Sequence, residues 1–120
     1  NGAATNQLDF VVGVNEDMVS AYVLAAAANG AGNVNFFAAI GQDSTTTVAT
    51  GCFAMAPLEL AANQLAILPA SLKAFPGAGR RFWAWLEYSQ AANTTTWFGD
   101  DGGIPAAGGR QAGIHGEIRG

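Results

Sequence analysis

Charge is scarce in this sequence. Only 12% of its 120 residues are Asp, Glu, Lys or Arg, five basic against nine acidic, for a formal net charge of −4. That is about half the charged share of an ordinary soluble domain, and a surface so poor in charge suits a chain covered in an assembly. Arg80 and Arg81 are the only adjacent basic residues. They make no basic stripe that tracks phosphates, so nucleic acid is not an expected partner. A single cysteine, Cys52, rules out an internal disulfide and a multi-cysteine metal site, and it reads as a small buried hydrophobe. No run reaches the roughly 20 apolar residues that span a bilayer as a helix, so membrane insertion is not expected either.

Catalytic residues are equally sparse. The one histidine, His115, has no Cys partner in sequence and no Gly-x-Ser-x-Gly motif to serve. Beside Glu117 on a terminal strand it reads as a surface residue or an interface contact. Gly77-Ala78-Gly79 lacks the lysine and following helix that a phosphate loop needs. Asp100-Asp101 has the chemistry of half a calcium site, or of one member of a carboxylate pair for sugar hydrolysis. Adjacent acids in a glycine-rich turn read first as solvated turn residues, and Asp9, Glu16, Asp17, Asp43, Glu59, Glu87 and Glu117 are scattered without pair spacing. The expectation is a non-enzyme with no catalytic residue, metal or cofactor.

Half of the residues are apolar, and they are organised around residues 77–89, which read as one long strand entered through a glycine turn. Alternation puts Phe82, Ala84, Leu86 and Tyr88 on one face and Arg81, Trp83, Trp85 and Glu87 on the other. The first reads as the core face. The second is apolar in the middle and charged at its ends, so it also needs cover, and a small two-layer domain supplies cover for only one face. A second subunit is the expected cover. Arg81, Trp83, Trp85 and Glu87 are thus the candidate subunit interface, with the two charges as its rim.

The remaining strands are short. Residues 8–14, 34–40, 94–98 and 114–119 are apolar or β-branched runs bounded by Gly, Asn and Asp turns. Residues 45–50 read as a polar edge strand, followed by a short one over 52–55. Residues 18–28 are almost wholly apolar, so periodicity does not separate helix from strand; strand is favoured by Val19, Tyr22 and Val23. Residues 57–68 fit two short strands or one helix beginning at Pro57, and Pro69 is expected to stop either one. About eight strands at this spacing predict an all-β, antiparallel, jelly-roll-like sandwich. Residues 1–7 read as a linker or the cut end of a longer chain, and 8–120 as one domain. If the 94–98 strand folds back on the long strand across its short loop, Trp97 joins Trp83 and Trp85. Such a cluster serves as core, as subunit interface or as a stacking platform for sugar rings.

Gly77-Ala78-Gly79-Arg80-Arg81, Trp85-Leu86-Glu87-Tyr88, Thr94-Thr95-Thr96-Trp97-Phe98-Gly99-Asp100 and Gly113-Ile114-His115-Gly116 together resemble the C-terminal head or tip domains of tailed-bacteriophage virion appendages. These include tail fibres, head fibres and decoration proteins. The resemblance covers the last third of the chain and implies a virion-surface β-sandwich, a homo-oligomer with a trimer favoured, in contact with other virion proteins and with a host-surface glycan or protein. It brings no catalytic residues. Irregular turns on a rigid scaffold commonly carry binding, so the 43–47 and 99–109 loops supply the candidate receptor contacts Asp43, Thr45, Asp100 and Asp101, with Trp97 beside them. The rival expectations are a capsid decoration or cement protein and a carbohydrate-binding module.

Overall fold

The computed structural model describes residues 6–57, 60–91, 93–98 and 112–119. Its regular elements are eight strands: β1 (Gln7–Val12), β2 (Met18–Asn29), β3 (Phe36–Gln42), β4 (Phe53–Ala54), β5 (Ala66–Ala74), β6 (Gly79–Ser89), β7 (Thr95–Phe98) and β8 (Gly113–Arg119). Every pairing is antiparallel. One sheet has the order β1-β6-β3 and the other β4-β5-β2-β7, with β8 also on β2. Because β5 occupies one side of β2 along residues 19–27, β7 and β8 lie end to end on its other side. β8 takes residues 18–24 and β7 takes 26–29. The fold is an all-β antiparallel sandwich, as the strand spacing predicts.

β2 resolves the ambiguity of residues 18–28 in favour of strand. Alanine alone favours a helix, but here strands pair with both sides of β2, and Val19, Ala21, Val23, Ala25 and Ala27 alternate into the core. The same core holds Leu68, Ala70 and Leu72 from β5, Phe36, Ala38 and Ile40 from β3, and Trp83 and Trp85 from β6. Small residues on β2 and β5 leave room for indoles arriving from the opposite sheet, which is how facing layers reach close packing.

That core inverts the expected roles of the two β6 faces. The Trp83 and Trp85 face is the one turned to the second sheet, so the chain itself supplies its cover. The Ala84 and Leu86 face looks the other way. It packs in a smaller cluster with Ala39, and with the partly buried Phe37, Cys52 and Phe82. Its cover includes the segment after β3, since a Cβ at Gly41 would run into the carbonyl oxygens of Ser44 and Thr47 and the side chain of Leu86. Two apolar faces on one strand do need two covers. Both come from within the chain.

Other expectations are corrected locally. Residues 45–50 form no strand: their threonines lie in the loop along the free side of β3, where the Ala49 N–H donates to the Ile40 carbonyl. The strand expected over 52–55 is only the two residues of β4. Pro69 stops nothing, for it sits inside β5 opposite Leu24. β4 pairs only with Ala70 and Ser71, so β5 is an edge strand at Pro69, where a missing N–H is tolerated. The described part of 57–65 has no helix or strand. The 94–98 strand does not fold back on β6. Asn93, at φ 62°, turns the chain across to the other sheet, where Gly30 donates its N–H to the Thr94 carbonyl at 2.9 Å. Buried Asn29 fixes the crossing. Its side-chain amide donates to Thr95 Oγ1, and its Oδ1 accepts the Ala31 N–H at 2.7 Å.

Candidate interaction surfaces

Of the four residues expected at a subunit interface, the two tryptophans are buried within the chain, while Arg81 and Glu87 are partly exposed. Trp83 has no exposed surface and Trp85 only 7%, and Trp83 meets Phe10 edge to face with ring centroids 5.7 Å apart. A sister chain therefore has no access to these indoles. Both indole N–H groups are buried with no hydrogen-bond partner among the described residues, a departure from the rule that buried tryptophan finds an acceptor. At the strand ends, Arg81 is occupied with Asp43 at 3.2 Å and with the Gly77 carbonyl at 3.4 Å. Glu87 is half-buried, and that burial pushes its carboxyl above the usual carboxylate range.

Of the candidate receptor contacts that are described, Asp43 and Thr45 follow the Gln42 end of β3, whereas Trp97 packs at its Phe36 end. Asp43 is a latch: one carboxylate oxygen binds Arg81, and the other accepts the Phe82 N–H at 3.0 Å. Thr45 is half-buried beside Ser44, whose hydroxyl oxygen accepts the N–H groups of Thr46 and Thr47. Trp97 lies on β7 with its side chain packed against the core, edge-on to Phe36 at 6.4 Å. Its side chain is partly exposed. Asp100, Asp101 and the rest of the 99–109 loop lie outside the described residues. Cys52 is tied into the β3 margin, its sulfur accepting the Ile40 N–H at 3.3 Å, and burial pushes its thiol up, away from thiolate reactivity. Among the described residues no three His, Cys, Asp or Glu side chains gather to hold a metal.

A different surface emerges, one that the sequence reasoning missed. The outer face of the β4-β5-β2 sheet carries Tyr22, Leu24, Phe53 and Ile67, exposed by 48%, 37%, 79% and 59%. Single exposed apolar residues are commonplace, but these are neighbours. Tyr22 lies beside Ser71, which pairs onward with Phe53, while Leu24 lies beside Pro69 and Ala26 beside Ile67. On the other side of β2, Tyr22 faces His115 and Ala26 faces Phe98. Toward the opposite end the face turns polar, with Lys73, Ser20 and Glu117 in one row across three strands. A shallow depression of about 280 Å³ opens there, lined by Ser20, Tyr22, Ser71, Lys73, His115 and Glu117. The alternation that buries Val19, Ala21 and Val23 was the available signal, since it turns Tyr22 and Leu24 outward.

No protein family matches this chain, and neither the curated proteins nor the solved structures provide a match. Among the described residues the geometry offers contact surface, an exposed apolar face with a shallow polar depression beside it. It is suited to docking.

Proposed function

We propose that this chain is a non-enzymatic structural module of a tailed-bacteriophage virion, the distal part of a fibre or appendage that self-associates and takes part in host attachment. One observation carries the assembly half of this reading: the outer face of the five-stranded sheet exposes Tyr22, Leu24, Phe53 and Ile67 side by side, on a chain with few charges. Exposed apolar patches of this kind mark contact surfaces. The virion half rests on the sequence resemblance carried by residues 77–100 and 113–116. Capsid decoration is the rival within the same class.

Immunogold labelling tests the reading, using antibodies raised against the chain and phage particles whose genome encodes it. Label at the tips of appendages is the expected result. Label spread over the capsid would make the chain a decoration protein, and particles without label would refute a virion role.

A further inference from the structure

We infer that two copies of the chain pair through the outer face of the β5-β2-β8 sheet, about a two-fold axis running along β2. This rests on the assembly reading above and names the surface and the occupant. The face is complementary to itself in charge. Ser20 on β2 is opposite Lys73 on β5 and opposite Glu117 on β8, so a cation and an anion flank the central strand, their backbones about 10 Å apart. A half-turn about β2 exchanges the two sides. It sets Lys73 of each copy over Glu117 of the other, twice per pair. Face-to-face sheets stand about 10 Å apart, a gap that a lysine and a glutamate span from opposite sides. Small Ser20 leaves the depression through which those side chains cross.

The same rotation matches the other rows. Ser71 and His115 flank Tyr22, and Ile67 and Phe98 flank Ala26, so polar meets polar and apolar meets apolar. Tyr22 and Leu24 on the axis pack against their own counterparts. Lys73 is exposed and makes no ion pair among the described residues, whereas Arg80, Arg81 and Arg119 each make one. Glu117 is held at 2.8 Å by Arg119, which leaves its carboxylate on the face. The paired stretch covers about 500 Å² on each copy, roughly 1,000 Å² in total from strand spacing and rise. That sits at the roughly 1,000 Å² a biological interface needs, in the size class of weak, reversible contacts. A cyclic trimer joins two different patches on each subunit, while a face complementary to itself calls for a two-fold contact.

Sedimentation equilibrium of the 120-residue chain, from about 1 to 200 µM, tests this with three variants whose folding is checked by circular dichroism. Lys73→Glu places like charges together twice and is expected to weaken pairing by roughly tenfold or more at low salt. Adding Glu117→Lys is expected to bring it back to within about threefold of the parent, which simple loss of folding would not do. Tyr22→Lys, on the axis, is expected to leave a monomer. A parent chain that stays monomeric, a double swap without recovery, or unchanged association in Tyr22→Lys would each overturn the pairing. The virion reading is decided separately by the particle labelling.

Discussion

Replacing Trp83 separates burial by the chain's own sheets from burial by a partner. Its indole is fully buried. An aromatic side chain of this size removes roughly 200 Å² from water, an upper estimate of about 5 kcal/mol at 25 cal/mol per Å². Trp83→Ala should therefore cost about 3–5 kcal/mol, as large-to-small core changes do. That is a large part of the roughly 5–15 kcal/mol that holds a domain folded. Trp83→Phe is a different perturbation. It keeps a ring against Phe10 and deletes the indole N–H, which has no acceptor among the described residues. Leaving such a donor unpaired costs about 1–3 kcal/mol, so its removal offsets most of the smaller cavity. The phenylalanine variant should stay within about 1 kcal/mol of the parent. Urea denaturation followed by circular dichroism, at two protein concentrations a hundredfold apart, measures both. Equal losses for Phe and Ala would show that the orphan N–H carries no penalty. A loss in Trp83→Ala that depends on protein concentration would place the indole between chains and refute the assignment.

Three further outcomes follow from the packing. Gly41→Ala should destabilise the fold by about 1–3 kcal/mol, because the new methyl meets backbone oxygens of Ser44 and Thr47; thermal melts read it, and an unchanged Tm would mean that the 44–47 segment does not rest on the sheet. Asp43→Ala should cost about 1–2 kcal/mol, since it frees half-buried Arg81 and the Phe82 N–H. Asp43→Asn should lose less, because Asn tolerates φ 50° and can still accept the N–H; equal loss in both would make the charge the whole effect. Glu87 has a folded-state pKa raised above its unfolded value by burial, so the native state binds its proton more tightly. Its unfavourable contribution is absent below the unfolded pKa, grows through the window up to the folded pKa and is complete above it. Glu87→Gln should therefore raise Tm at neutral pH, on the order of 1 °C, and the gain should vanish in acid; a gain that persists there would contradict the burial argument.

The alternation along residues 79–89 is legible in the sequence and sorts the side chains of β6 correctly into two sets. It does not say which set faces the other sheet, because both are apolar enough to be core. The clue to the correct sense lies elsewhere, in the alanines of β2 and β5, whose small volume makes room for Trp83 and Trp85. Local spacing also misleads at residues 90–94. A short connection suggests a hairpin, but buried Asn29 and the left-handed Asn93 send β7 to β2. Pro69 looks like a stop because its tolerance depends on the two-residue length of β4, which is a tertiary fact. The candidate interface is displaced for the same reason as the core. Tryptophans draw attention as a cluster, whereas Tyr22, Leu24, Phe53 and Ile67 are far apart in sequence and meet only through strand register.

Hydroxyl-radical footprinting across a dilution series puts the whole account to its most direct trial. The account predicts that Trp83 and Trp85 stay unlabelled at every concentration, while Tyr22, Leu24 and Ile67 are labelled in dilute solution and become protected as the chain associates. Labelling of Trp83 and Trp85 on dilution, with Tyr22 unchanged throughout, would contradict it.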